Sequence, residues 1–389
     1  MYNVILVRYG EIILKGNNRS YFEKKLISNI KLALEGEEVK IVFSQARIFV
    51  EPKEPAKINR IMKKIIKVFG VVSVSPAIKI ESDLETIKET AVKLMEERNT
   101  GKTFKVEARR GDKKFPLTSP EIARTIGGYV LSKCNDLTVD VNNPETVLDI
   151  EVREETYLYI EKIQALGGMP VGTNGKGLLL VSGGIDSPVA GFMLARRGVE
   201  LDAVHFFSPP YTGPKAKEKV IELCKIVSQY SQKINLYMIN FTEAQLQIRD
   251  NCPKEQMVII MRRIMMRIAQ KIADEKGCDA LITGENIGQV ASQTMKAIVT
   301  TNEVVELPVF RPLIGMDKND IINIAKKIGT YETSILPYED CCTIFVPKHP
   351  ETKPRVEKIR ESETHLDIEK IIEDCMNNIE HITIGENNE

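Results

Sequence analysis

Residues 178–198 read LLLVSGGIDSPVAGFMLARRG: an apolar run, a turn holding two serines, two glycines and one aspartate, then a helical pattern. A glycine-rich turn between a buried strand and a helix start aims free backbone N–H groups and the positive end of the helix dipole at one point, which makes an anion site. Phosphate is its natural occupant. The P-loop pattern G-x-x-x-x-G-K-[ST] is absent, because GTNGKG at 172–177 puts Gly177 where Ser or Thr belongs. The dinucleotide pattern G-x-G-x-x-G is missing here too. In SGGIDS, Ser182 and Ser187 offer hydroxyls, and Gly183 and Gly184 let backbone approach closely. Asp186 can hold Mg²⁺ or position a phosphate-bound water. The bland alternative, a tight turn with an incidental aspartate, leaves this six-residue pattern in its strand–helix context unexplained.

From residue 178 onward strand and helix patterns alternate: LLLV, a helix to Arg197, LDAVHFF, a helix over PKAKEKVIELCKIVSQY, NLYMINF, a long helix through MVIIMRRIMMRIAQKIADEKG, DALITGE, and IINIAKKIG. This alternation predicts a parallel sheet with helices on both faces. Upstream, QALGGMPVGTNGKG has five glycines in fourteen residues and is the clearest linker. NVILVRYGEIILKG predicts two short strands around Gly10, followed by a helix in which Phe22, Leu26, Ile30 and Leu34 recur every fourth residue and Ser20 and Glu23 form a capping box. A second α+β stretch holds a helix around INRIMKKIIKVFG and a half-buried strand with Phe104, Val106 and Ala108 alternating. Next comes a helix capped by Ser119, with Pro120 in its first turn. The expected domains are 1–59, 60–165, a linker at 166–177, and 178–389.

Lys and Arg together number 54 and Asp and Glu 54, which argues against a polybasic binder. The first 170 residues hold 28 basic and 24 acidic side chains and the rest 26 and 30, a slight tilt of any polyanion toward the N-terminal side. Seven cysteines lack regular spacing and no secretory signal is visible, which predicts a reducing cytoplasm. No apolar run approaches the roughly 20 residues of a membrane span.

SGGIDS at a first βα turn resembles the pyrophosphate loop of the N-type ATP pyrophosphatases. The whole chain resembles one family among them, the tRNA 4-thiouridine synthases (tRNA uridine 4-sulfurtransferases, ThiI). RYGEIILKGNNRSYFEKKL, FKVEARRGDKKFPLTSPEIARTIG, LLLVSGGIDSPVAG, LITGENIGQVASQT, RPLIGMDKNDII and LPYEDCCTIFVPKHP occur in the family's order. The resemblance implies a multidomain α/β and α+β chain: an N-terminal ferredoxin-like domain, a THUMP domain and a C-terminal Rossmann-like ATP pyrophosphatase (PP-loop) domain. It implies adenylation of uridine O4 at tRNA position 8 and replacement of that oxygen by sulfur, with ATP and Mg²⁺ as cofactors.

By the same resemblance, Leu180, Val181, His205 and Phe206 line the adenosine pocket at strand ends, and Arg262, Gly284 and Gln293 complete the nucleotide site. On its own pattern Arg262 reads as an exposed charge on a Met-rich helix, Gly284 as a strand-end turn and Gln293 as a surface amide. Lys318 matches the lysine used in adenylation, where a point charge offsets charge developing on phosphorus; alone it reads as a solvated lysine at a helix start. Cys341, the first cysteine of YEDCC, matches the persulfide carrier, although Glu339 and Asp340 would raise rather than lower a thiol pKa. Cys134, Cys224, Cys278 and Cys375 sit in apolar patterns and read as core filling.

Some relatives carry a second cysteine where this sequence has His205, and some end in a rhodanese domain. A chain ending before such a domain implies direct sulfur transfer from a cysteine desulfurase to Cys341. Cys342 is a poor resolving partner, since adjacent Cα atoms lie about 3.8 Å apart and disulfides need about 4.4 Å or more. Release through Cys252, or as hydrosulfide, stays open. No C-x-x-C pair is present, so no iron–sulfur cluster is expected.

Lys63, Lys64 and Lys67, with Arg109, Arg110, Lys113 and Lys114, form two basic patches that can meet RNA phosphates or serve as ordinary solvated faces. Few aromatics interleave them, so helical shape and phosphate contacts are the expected mode. THUMP domains, by resemblance, hold the tRNA acceptor end, which favours a homodimer bridged by tRNA. An amidating ligase of the same superfamily would lack the first 165 residues' RNA-binding domains. A non-catalytic RNA binder would have no use for SGGIDS, Lys318 and Cys341 together. A further sulfur-relay role in thiamin thiazole synthesis, known for some relatives, is an added expectation.

Overall fold

The computed structural model describes residues 2–44, 46–97, 101–338, 347 and 350–385. By internal contacts the chain divides into Met1–Gly168 and Met169–Glu389.

The first unit is built on one mixed sheet of β1 (Val4–Tyr9), β2 (Val39–Ser44), β3 (Arg47–Pro52), β4 (Val71–Glu81), β5 (Thr103–Arg110), β6 (Thr138–Val139), β7 (Thr146–Val152), β8 (Glu155–Tyr159) and β9 (Ile163–Gln164). The order is β2-β3-β1-β4-β8-β7-β5-β6, with β9 also on β4. The eleven-residue β4 runs through both halves of the sheet: Val71–Ala77 pair antiparallel with β1, Ser73 and Val74 also pair with β9, and Ile78–Glu81 pair with β8. Its first half belongs to a ferredoxin-like layer with α1 (Arg19–Ala33) and α2 (Ile58–Ile65). Beyond its second half, α3 (Leu84–Glu96) and α4 (Ser119–Lys133) bury Ile87, Leu94, Ile122 and Ile126 against Phe104, Leu148, Ile150 and Leu158.

Three local expectations are corrected. EIILKG is not a strand but a 3₁₀ turn over Glu11–Leu14, of which only Ile12 is buried. Helix α1 begins at Arg19, so Ser20 caps nothing; Glu23 instead takes hydrogen bonds from the Tyr9 hydroxyl and from Arg19 Nε. Thr118, not Ser119, caps α4 through a capping box with Glu121, a device worth about 1 kcal/mol. Ser119 Oγ accepts from the Arg110 amide at 2.9 Å.

The second unit is an open sheet of β10 (Lys176–Leu180), β11 (Glu200–Phe207), β12 (Ile234–Asn240), β13 (Ala280–Ile282), β14 (Val309–Phe310) and β15 (Ile379–Ile384), in the order β14-β13-β10-β11-β12-β15. The neighbours from β14 to β12 are parallel, as the alternation predicts. The edge departs from it: β15 pairs antiparallel with β12. The helices are α5 (Asp186–Ala195), α6 (Pro214–Ser231), α7 (Thr242–Asn251), α8 (Met257–Lys276), α9 (Met295–Asn302), α10 (Lys318–Ile328), α11 (Tyr331–Ser334), α12 (Val356–Glu363) and α13 (Ile368–Asn377). Met261, Met265 and Met266 of α8 are buried in the core beneath the sheet. From β10 the chain moves outward through β11 and β12, then returns to place β13 on β10's other side. That reversal opens a crevice beyond the carboxyl ends of β10 and β13, the place where open α/β sheets take their ligands.

Candidate active site

The SGGIDS turn joins the end of β10 to the start of α5 and folds on its own hydroxyls. The Ser182 amide donates to Ser187 Oγ at 2.8 Å, the two hydroxyls lie 3.2 Å apart, and the Gly184 amide reaches Ser182 Oγ at 3.3 Å. His205, buried near the end of β11, places Nδ1 2.9 Å from the Val181 carbonyl. A carbonyl only accepts, so that nitrogen carries the proton. Beside the turn lies a cavity of about 480 Å³ lined by Leu180, Val181, Ser182, Asp186, Ser187, His205, Phe206, Arg262, Gly284 and Gln293, together with apolar side chains of α8. Ten of the residues expected at the nucleotide site therefore share one cavity. Gly183 lies just behind it, buried, and Gly184 is exposed at the tip of the turn.

Gly284 has a steric reason to be glycine. A Cβ there would lie 2.7 Å from the Ser187 amide nitrogen and 2.8 Å from the Asp186 carbonyl carbon, so the chain after β13 presses directly on the turn. Asp186 and Lys318 meet: Lys318 Nζ lies 2.7 Å from Asp186 Oδ1, with 41% and 20% of their side chains exposed. Gln289 Nε2 donates to the other carboxylate oxygen at 2.8 Å.

Arg262 is not the exposed charge its pattern suggested. It is ion-paired with Glu285 and donates to Ser292 Oγ at 3.2 Å. Glu285, which the sequence did not single out, is 3% exposed and also takes Arg311 Nε at 2.7 Å and Thr283 Oγ1 at 2.9 Å. Burial alone would push its carboxyl up, but the Arg262 and Arg311 guanidiniums outweigh that and hold it below the usual carboxylate range. The carboxylate thus fixes Arg262 at the cavity wall.

Cys341 and Cys342 lie outside the described residues. Cys134, Cys224, Cys252, Cys278 and Cys375 are all buried and unbridged. Burial pushes the Cys224 thiol up to about 12. Burial, aided by Glu363, pushes Cys252 to about 11, and its Sγ rests 3.7 Å from the Ser362 carbonyl. In the first unit, Lys63 and Lys64 lie on α2, where Lys64 bridges Glu37 at 2.7 Å, and Lys67 follows the helix. Arg109 and Arg110 end β5, Arg110 donates to the Phe115 carbonyl at 3.3 Å, and Lys113 and Lys114 are exposed in the next turn. The two patches stand on different layers of that unit. Among the described residues no helix is long and apolar enough to cross a membrane.

An open α/β sheet with a hydroxyl-braced glycine turn at its switch point defines a PP-loop nucleotide-binding domain, here following a ferredoxin-like and a THUMP domain. The chain belongs to the ThiI family. The family model described as thiamine biosynthesis protein (ThiI) matches residues 172–368, that of the ThiI ferredoxin-like domain 4–75, and that of the THUMP domain 81–161. A probable tRNA sulfurtransferase of Acetivibrio thermocellus is 60% identical over 99% of both chains. Another from Alkaliphilus metalliredigens is 52% identical over 98% of both. The crystal structure of a 4-thiouridine synthetase–RNA complex with bound ATP superposes with a TM-score of 0.92, at 38% identity, over 99% of this chain and 100% of that one.

Proposed function

We propose that this chain is an ATP-dependent tRNA sulfurtransferase that converts uridine at tRNA position 8 to 4-thiouridine. The observation that carries the reading is the crevice itself, where Asp186, Lys318, the serine-braced turn and Arg262 converge at the carboxyl ends of β10 and β13. Uridine O4 is a poor leaving group. In the first step O4 attacks the α-phosphorus of ATP, the Pα–O bond to pyrophosphate breaks, and O4 becomes an adenylate. The turn amides and the Ser182 and Ser187 hydroxyls hold the departing phosphates, and Lys318 offsets charge on the reacting phosphoryl group. Arg262, held by Glu285, borders the nucleotide. Leu180, Val181, His205, Phe206, Gly284 and Gln293 wall it in.

Mg²⁺ fits this donor set: it is commonly held by one or two carboxylates plus substrate phosphates, and Asp186 is the carboxylate at the turn. When bound it would neutralise phosphate charge.

In the second step the terminal sulfur of a persulfide on Cys341, supplied by a cysteine desulfurase, attacks C4 and AMP departs. An external thiol then attacks the Cys341 sulfur of the remaining S–S bond, freeing the sulfur on C4 and leaving a mixed disulfide that a second thiol reduces; alternatively, two external thiols first release hydrosulfide from the persulfide, leaving as a disulfide of their own, and hydrosulfide attacks C4. The basic patches at Lys63, Lys64 and Lys67 and at Arg109, Arg110, Lys113 and Lys114 meet tRNA phosphates, and the enzyme acts as a homodimer in a reducing cytoplasm. A sulfur-relay role toward the thiamin thiazole is a compatible second use of the same persulfide.

The test is nucleoside mass spectrometry of tRNA incubated with protein, ATP, Mg²⁺, cysteine and a desulfurase. Asp186→Ala should abolish tRNA-dependent AMP and pyrophosphate formation, and Cys341→Ser should still adenylate tRNA yet yield no 4-thiouridine. Wild-type turnover in the first variant would remove the activation scheme. Full thiolation by the second would move the sulfur role elsewhere.

A further inference from the structure

The Asp186 carboxylate is held at both oxygens: Lys318 Nζ donates to Oδ1 at 2.7 Å and Gln289 Nε2 to Oδ2 at 2.8 Å. The two donors come from segments stapled to each other. Gln289 sits in a turn after β13 that closes on itself: the amide of Gly288, in the left-handed region at φ 77°, donates to the Gln293 carbonyl at 3.0 Å, and the Gln293 amide donates to the Val290 carbonyl at 2.9 Å. Gln293 is also a wall of the nucleotide cavity. At the base of the turn the Ile287 amide donates to the Ile314 carbonyl at 3.1 Å, and the buried Asn286 gives its side-chain amide to the Met316 carbonyl at 2.5 Å, two residues before Lys318. A carboxylate turns easily about its last bond, so donors on both oxygens fix a plane that one donor leaves free. The two differ in charge. Lys318 is drawn to a reacting phosphoryl group, whereas the neutral amide of Gln289 makes the weaker bond to an anion and has less reason to leave Asp186 for it. Gln289 is exposed, so no demand of the core places an amide there.

We propose that Gln289 is a positioning residue of the ATP half-reaction: it keeps the Asp186 carboxylate in plane when Lys318 turns to the phosphates, and so leaves Oδ1 open to the Mg²⁺ that this carboxylate would hold. This rests on the reading that Asp186 serves ATP at the SGGIDS turn. Gln289 itself transfers no proton and touches no reacting atom; its whole contribution is the one hydrogen bond.

The test uses the full chain and two variants: Gln289→Leu, which removes the donor, and Gln289→Glu, which keeps length and shape but sets an acceptor against an acceptor. Tight binding of Mn²⁺ to protein holding α,β-methylene-ATP, which cannot release pyrophosphate, is read by electron paramagnetic resonance. It is paired with the rate of tRNA-dependent pyrophosphate release. Losing one hydrogen bond to a charged group should weaken Mn²⁺ binding and lower kcat about tenfold in Gln289→Leu, with the KM for tRNA within about twofold and the melting temperature unchanged, as for other exposed substitutions. Gln289→Glu should lose at least as much kcat, since a side chain needed only for the shape of the turn would be replaced by its isostere without loss. In an Asp186→Ala background, Gln289→Leu should leave Mn²⁺ binding where that background puts it, because the two residues act as one. Wild-type kcat in either variant overturns the proposal, and so does an effect on Mn²⁺ binding that persists without the Asp186 carboxylate. Variants indifferent at residue 289 beside an inactive Asp186→Ala sink this inference alone. An Asp186→Ala protein that releases pyrophosphate like the wild type sinks the proposed function with it.

Discussion

Replacing Gly284 with alanine adds one methyl group at the point where β13's exit presses on the glycine turn. Its carbon would lie 2.7 Å from the Ser187 nitrogen, 2.8 Å from the Asp186 carbonyl carbon and 2.9 Å from the Ser187 Cα, whereas ordinary contact begins at 3.4 Å. All three neighbours are backbone, so no side chain can rotate away. Turn and strand end must separate by about 0.7 Å. Overpacking of this kind costs about 1–3 kcal/mol of stability. The larger effect falls on chemistry, because a displacement near 1 Å at a reacting centre costs about a hundredfold in rate. Gly284→Ala should therefore remain folded, with a melting temperature lowered by a few degrees, and lose roughly 10- to 100-fold in tRNA-dependent pyrophosphate release. A coupled colorimetric assay for pyrophosphate with saturating tRNA reads the rate, and calorimetry with ATP reads binding. A variant that releases pyrophosphate at the wild-type rate and binds ATP equally well would refute the argument that the turn's position is set by the closeness of residue 284.

Glu285→Gln leaves Arg262 and Arg311 facing a neutral amide in a buried place, and should cost about 3 kcal/mol in chemical denaturation and weaken ATP binding through the loosened Arg262. The folded Glu285 carboxyl lies below its unfolded value. Its contribution is therefore complete above an unfolded pKa of about 4.3 and is lost as pH falls through the lower folded value. The gap between wild type and Glu285→Gln should hold at pH 5 and close in more acidic buffer, read by denaturant midpoints across that range. Cys252, with its thiol raised to about 11, is about one part in a thousand thiolate at pH 8. It should resist iodoacetamide in the native protein, and Cys252→Ala should thiolate tRNA like the wild type; loss of 4-thiouridine in that variant would make it the resolving thiol.

Features encoded within a few adjacent residues were legible in the sequence. LLLV followed by SGGIDS specifies a strand, a turn and a helix start without help from elsewhere, and so located the crevice. Arg262 was legible only through the family resemblance, because its meaning depends on Glu285 and Ser292, which lie 23 and 30 residues away. Glu285 itself carries no local mark, being one acidic residue after a short strand. A buried carboxylate shared by two guanidiniums becomes apparent only once β13, α8 and the segment after β14 are assembled. EIILKG misled because three apolar residues in succession fit a strand, yet a Cβ at Gly10 would come 2.7 Å from Val72 Cγ2 and the chain turns there, burying Ile12 and leaving Ile13 and Leu14 on the surface. The antiparallel β15 escaped notice because a short edge strand after two helices has no periodicity of its own to distinguish it.

The double service of β4 has a consequence for anyone dissecting the first unit. Cutting the chain between residues 75 and 81, where the family models leave off and resume, severs a single plank and strips each fragment of an inner neighbour. The orphaned backbone donors and acceptors would form sticky new borders that invite edge-to-edge aggregation. The two halves are therefore not interchangeable cassettes: they should be cloned, swapped or deleted as one piece.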